Sequence, residues 1–147
     1  MERIQKYINR IYRAAVLDRA GQFEEIGLSG TQVSYILQLV RHPGLNQDEL
    51  SRKIFVDKSS VARQIRWLKE KGFVDRQIDP EDNRKRLLFP TQKAQAAYVE
   101  IEKYLDDWNL VLMEQFSEEE YEDIVDFLRK LAKAASQATK TSLDEMD

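Results

Sequence analysis

The stretch NQDELSRKIFVDKSSVARQIRWLKEKGFVDRQIDPEDNRKRLLFPT, residues 46–91, decides the fold. Asn46 followed three residues later by Glu49 is a capping-box signature: a side-chain oxygen and a carboxylate satisfy the free amides at a helix start. The short helix it opens turns Leu50 and Ile54 inward. Phe55-Val56 form an apolar turn, and Asp57 is placed to cap a second helix with Val61, Ile65 and Leu68 on one narrow buried stripe. Lys71-Gly72 stops that helix, because glycine takes the left-handed conformation of a helix end without strain. Phe73 to Ile78 then reads as a strand, DPEDNRK as a polar tip and Arg86 to Phe89 as the returning strand. The pattern predicts helix, tight turn, helix and hairpin.

Working outward, a first helix over about residues 2–20 carries Ile4, Ile8, Ile11 and Ala15 on one stripe, widened by Tyr7, Tyr12 and Val16. GQFEEIGLSG breaks the period. Ser29 is placed to cap a helix with Val33, Ile36, Leu37 and Val40, which ends at His42-Pro43-Gly44. Downstream, Pro90-Thr91 opens a long helix with Ala97, Ile101, Tyr104, Trp108 and Leu112 in helical steps. Ser117 with Glu120 caps a last helix carrying Tyr121, Ile124, Val125, Leu128, Leu131 and Ala135, and the polar tail TKTSLDEMD is expected to fray. The chain is therefore mainly α with a small β-hairpin. A helix pair followed by a hairpin is the winged helix-turn-helix arrangement, in which the second helix enters a major groove.

Charge agrees with that use. The 147 residues carry a net charge of −3, yet residues 52–86 hold eleven Lys/Arg against six Asp/Glu, whereas residues from 100 onward hold five against fourteen. A basic module sits on an acidic body, as expected if the centre of the chain meets phosphates. The absence of cysteine removes disulfides, thiolate zinc sites and thiol redox chemistry. No stretch is apolar for long enough to span a membrane, the first residues lack a signal-peptide core, and a cytoplasmic location is the expectation.

With Val61 at the centre of the buried stripe, a step of about 100° per residue puts Ser59, Arg63 and Arg66 on the opposite face, with Ser60 and Gln64 toward the flanks. Ser, Gln and Arg suit base edges, and arginine can pair two acceptors of guanine at once. A solvated helix would also be polar outside; the basic hairpin immediately downstream favours the groove. In the tip, Asp82 is expected to orient the Arg84 guanidinium, with Arg86 assisting, so that Arg84 follows the narrow minor groove or the phosphates.

Residues 46–91 resemble the MarR family of bacterial and archaeal regulators, and the likeness extends over essentially the whole chain. The resemblance implies that the helix beginning near Asp57 is the recognition helix and that Asp82-x-Arg84 belongs to the wing. The family's Leu-Thr-x-x-Gly after the wing stands here as Pro90-Thr91-Gln92-Lys93-Ala94, a departure that touches packing more than DNA contact. It implies one domain over 1–147, with a DNA-binding lobe at 31–90 and dimerisation helices at 1–28 and 91–140. Tyr98, Val99, Trp108, Val111, Leu112, Met113 and Phe116 spread round the fifth helix more widely than one small core would cover, which asks independently for a partner.

The expected function is therefore sequence-specific binding of duplex DNA by a homodimer at a pseudo-palindromic operator, as a transcriptional repressor. Small aromatic or phenolic effectors bind between lobe and dimerisation helices in many relatives; here Tyr7, Tyr12, Arg13 and Tyr35 offer candidate lining, with aromatic core packing as the competing use of each tyrosine. The alternative is a winged-helix protein-interaction module without DNA binding. A lone His42 beside Pro-Gly has no nucleophile constellation, so no enzyme, cofactor or metal site is predicted.

Overall fold

A computed structural model describes residues 1–139, so the expected fraying of the tail from residue 140 lies outside the described residues. The elements are α1 (Ile4–Arg19), two 3-10 turns (Glu24–Ile26 and Gly30–Gln32), α2 (Val33–Arg41), α3 (Gln47–Ile54), α4 (Lys58–Glu70), β1 (Val74–Ile78), β2 (Arg86–Pro90), α5 (Gln92–Met113) and α6 (Glu118–Thr139). The predicted order holds element by element, with boundaries shifted by one to a few residues. β1 and β2 pair antiparallel with Val74 opposite Pro90 and Ile78 opposite Arg86.

The local signals act as their chemistry requires. Asn46 Oδ1 accepts from the Glu49 N–H at 2.9 Å, and Glu49 returns a carboxylate to the Asn46 N–H at 2.9 Å. Asp57 accepts from the Ser60 N–H at 2.9 Å and starts α4. Between them Phe55 takes φ 54°, the one non-glycine left-handed residue among those described, which turns the chain sharply from α3 into α4.

The core runs through Tyr35, Ile36 and Leu39 of α2, Leu50 of α3, Val61, Ile65 and Leu68 of α4, Phe73 and Val74 at the hairpin, Leu88 of β2 and Ala94, Ala97 and Ile101 of α5. Phe23 and Leu28 join it from the loop after α1, so residues on both flanks of the 31–90 segment belong to one packed unit. Helix α2 differs from its predicted stripe: Tyr35 and Leu39 are buried while Leu37 and Val40 are only half-buried, because α3, α5 and β2 surround it on several sides. The wing also has a third member not foreseen from the sequence. The Gly44 N–H donates to the Leu88 carbonyl, and the Leu88 N–H donates to the Leu45 carbonyl, both at 2.8 Å, laying the loop after α2 along β2.

Thr91 joins lobe to long helix. Its Oγ1 accepts from the Ala94 N–H at 3.3 Å, capping α5, and donates to the Gly72 carbonyl at 2.6 Å at the end of α4. Lys93 Nζ reinforces the joint by donating to the Lys71 carbonyl at 2.8 Å. Replacing Thr91 with Ala is expected to lower stability by about 1–2 kcal/mol, since it removes a helix cap and orphans part of another; urea denaturation monitored by circular dichroism measures it.

Helix α1 leaves its apolar stripe uncovered by its own chain. None of its 16 residues is buried. Ile4, Ile8 and Ile11 are 54%, 39% and 52% exposed, and Leu17 is 77% exposed. Val99, Leu110, Val111 and Leu112 of α5, Phe116 just after it, and Phe127 and Leu128 of α6 are exposed in the same way. At the other end of α1, the Tyr104 hydroxyl donates to Asp18 at 2.5 Å and packs edge-on to Phe23. Burial, and then the carboxylate, push its pKa up to about 12, so it stays a neutral donor and ties α1 to α5.

Candidate nucleic-acid interface

Helix α4 presents the face that its sequence predicts. Val61, Ile65 and Leu68 are buried, while Ser59, Arg63 and Arg66 are exposed. The amino-terminal turn is tightly organised. Ser59 Oγ donates to Asp57 Oδ1 at 2.5 Å, and the Arg63 guanidinium donates to Ser60 Oγ at 3.0 Å. The Ser59 hydroxyl, with the Ser60 N–H, holds the Asp57 carboxyl well below the usual carboxylate range. A depressed acid stabilises above its ordinary pKa and loses that contribution only as pH falls through the lowered value, so the cap is intact at neutral and mildly acidic pH. Lys58 Nζ reaches Asp48 at 3.2 Å and pins the start of α4 to α3.

Gln64 sits differently from its neighbours. It is half-buried, and its Oε1 accepts from Gln32 Nε2 at 3.0 Å. Gln32, only 7% exposed, was absent from the sequence-based site; the signal was there, because Ser29 and Gln32 have the Ser-x-x-Gln spacing of a capping box.

The wing tip is built by two aspartates. Asp79 Oδ1 accepts from the Glu81 N–H at 2.9 Å, and Asp82 Oδ1 accepts from the Arg84 N–H at 3.0 Å. Asp82 therefore places Arg84 through its main chain and not through its guanidinium, as the sequence had suggested. The Arg84 side chain is exposed and makes no hydrogen bond or ion pair among the described residues, so its charge stands out from the tip. Arg86 instead folds back, donating to the Asn83 carbonyl at 2.7 Å and the Lys85 carbonyl at 3.2 Å. It braces the turn that carries Arg84. Exposed cations thus stand on α4 and at the wing tip; in a winged helix-turn-helix the second helix suits the major groove and the wing the backbone or minor groove beside it.

The four candidate effector residues lie in different surroundings. Tyr35 is 2% exposed in the core, and burial, with the Asp57 charge, raises its pKa. Tyr7 and Tyr12 stand exposed on α1. Arg13 lines a cavity of about 480 Å³ along α1 with Lys6, Asn9, Arg10, Ala14 and Leu17, and none of the three tyrosines is among its described lining.

Proteins of known structure share this arrangement. The MarR family model matches residues 28–85, which span the helix-turn-helix and most of the wing. The HTH-type transcriptional regulator YybA of Bacillus subtilis (strain 168), itself uncharacterized, is 29% identical over 133 residues, covering 90% of this chain and 89% of YybA. A crystal structure of MarR is 30% identical, with a TM-score of 0.82 over 95% of this chain and 97% of that one. A MarR family regulator from Listeria monocytogenes, solved with a 26mer DNA, is 26% identical with a TM-score of 0.87, over 94% and 92% of the two chains. No helix among the described residues is long and apolar enough to cross a membrane. With the recognition helix, the wing and these relatives in agreement, the chain belongs to the MarR family of winged helix-turn-helix, DNA-binding transcriptional regulators.

Proposed function

We propose that this chain is a homodimeric, cytoplasmic repressor that occupies a pseudo-palindromic operator and is released from it by a small aromatic effector. The observation that carries the proposal is α1: an amphipathic helix of 16 residues, none of them buried, whose apolar stripe its own chain leaves exposed. An isolated helix of that length is marginal in water and is held by packing its apolar face. The exposed apolar residues of α5 and α6 supply a matching surface on a second copy, and a twofold pair related in this way buries the same patch on each subunit. Two recognition helices then face successive major grooves about one helical turn apart, which is why the operator would be a pseudo-palindrome.

For the effector, the cavity beside Arg13 combines cationic heads at Lys6, Arg10 and Arg13 with the apolar Ala14 and Leu17, a lining suited to an aromatic acid. It adjoins the surface proposed to dimerise, so a ligand there changes the separation of the recognition helices without touching them. Coupling of this kind is reciprocal: an inducer weakens DNA binding by the factor by which DNA weakens inducer binding. Light scattering at micromolar concentration, followed by titration of a selected operator with and without simple aromatic acids, tests the reading. A dimer binding one palindrome per two chains is expected; a compact monomer would remove the two-half-site mechanism, and ligands that leave operator affinity unchanged would remove the effector.

A further inference from the structure

A relay of three residues connects the loop before α2 to the recognition helix. The Ser29 N–H donates to Gln32 Oε1 at 2.8 Å, and Ser29 Oγ donates to the same oxygen at 2.6 Å. Gln32 Nε2 donates to Gln64 Oε1 at 3.0 Å. The two ends of a glutamine amide are alike in size, so hydrogen-bond partners must decide which is oxygen. A backbone N–H can only donate. It therefore fixes the Gln32 oxygen toward Ser29, which leaves the Gln32 amino group toward Gln64, which in turn requires Gln64 to meet it with oxygen. The direction of every bond in the relay is set at Ser29.

We propose that this relay makes Gln64 a donor-only reader of the major groove, with Gln32 as its positioning residue. The proposal rests on the reading of α4 as the helix that enters the groove. A free glutamine recognises adenine by donating to N7 while accepting from N6. Gln64 has turned its carbonyl inward to Gln32, and its amino group is the end left for a base. Two N–H donors suit guanine, which offers N7 and O6, or thymine, which offers O4, and they oppose the amino group of cytosine. Reversing Gln64 would set two amino groups against each other and leave the Gln32 donor, 7% exposed, without an acceptor. Gln64 lies next to the exposed Arg63 in sequence and one turn beyond Ser60 along the flank of α4. The half-site position it reads is thus adjacent to the one read by Arg63.

Selection of operators from a random duplex library by the full chain, repeated with Gln64→Ala, Gln32→Glu and Gln32→Leu, tests the proposal; thermal melts establish that each variant folds. The wild type is expected to prefer guanine or thymine over cytosine at one position in each half-site by at least about fivefold, the lower limit for a good base contact. Gln64→Ala flattens that position alone. In Gln32→Glu the new side chain accepts at both oxygens, taking the Ser29 N–H on one and the Gln64 amino group on the other. The Gln64 carbonyl then faces out, and preference at the same position moves to the amino-bearing bases, cytosine or adenine. Gln32→Leu, which carries no polarity of its own, abolishes discrimination between guanine and cytosine there and serves if Gln32→Glu does not fold. An unchanged preference in Gln64→Ala, or a guanine or thymine preference that persists in a folded Gln32→Glu or Gln32→Leu, overturns the proposal while leaving DNA binding in place. A wild type that enriches no sequence overturns the DNA-binding reading, and this one with it.

Discussion

Deleting residues 1–20 is expected to leave a monomer and to lower operator affinity by about 10²–10⁴-fold, the gain that joining two binding modules typically confers. Helix α1 contributes no buried residue to the lobe. Its apolar positions at 4, 8 and 11 are exposed, so their removal takes nothing from the core around Ile36, Leu50, Ile65 and Leu88. The lobe should therefore keep its helical signal while losing its partner, and each freed recognition helix should bind one half-site alone. Ile8→Asp is the gentler version, placing an unpaired charge in the proposed interface. Sedimentation of the two variants, with duplex titrations on full and half operators, reads the effect. If the truncated chain binds the full operator as tightly as the intact one, dimerisation through α1 is wrong.

The second large effect separates the two kinds of DNA contact. Arg63→Ala should cost about 1–3 kcal/mol on the preferred operator and relax one base position, because a bidentate arginine carries sequence information. Arg84→Ala should weaken preferred and scrambled duplexes together and reduce the slope of log affinity against log salt by about one for each phosphate no longer neutralised. Asp82→Ala should resemble a partial Arg84→Ala, since Asp82 holds the Arg84 main chain. Arg86→Ala should do the same by loosening the carbonyls at Asn83 and Lys85. Affinities of these variants for operator and scrambled duplexes at several salt concentrations decide the matter. Should Arg63→Ala and Arg84→Ala both leave operator affinity unchanged, the docking described for α4 and the wing fails even though the fold stands.

The parts of this structure that were legible in the sequence are those governed by neighbours in the chain. A capping box at Asn46 and Glu49, a cap at Asp57 and a stop at Gly72 act over three or four residues, so their meaning does not depend on the rest of the fold. The exposed arginines of α4 follow from periodicity alone. What was not legible depends on segments far apart. The strand-like pairing of Leu45 with Leu88 has no alternating pattern to announce it, and the inward bond of Gln64 requires the turn before α2 to be brought against α4 first. The turn of Arg86 onto the tip carbonyls, against the direction assigned to it, is a choice of side-chain conformer. Periodicity marked the apolar stripe of α1 correctly, but a stripe does not say whether its own chain or another covers it. Tyr35 illustrates the same limit in reverse: an aromatic residue eligible for a ligand wall is a core residue once α2 is surrounded.

The joint between α4 and α5 has a mechanical side. Lys93 lies 4.4 Å from the centroid of the Phe73 ring, which stacks on Trp67 at 6.5 Å and 11°, with Lys71 over the indole at 5.9 Å. Together with the Lys93 and Thr91 hydrogen bonds, this stack clamps the carboxyl end of the recognition helix to the first turn of α5. Helix α5 has 22 residues and is therefore about 33 Å long. It sets the recognition helix at one end and the exposed apolar residues Leu110 to Leu112 near the other. A tilt of only about 6° about that far end carries the clamped end through roughly 3.4 Å, the rise of one base pair. An angular change small enough to leave the core packing intact would thus shift the reading head by a full step of the DNA ladder.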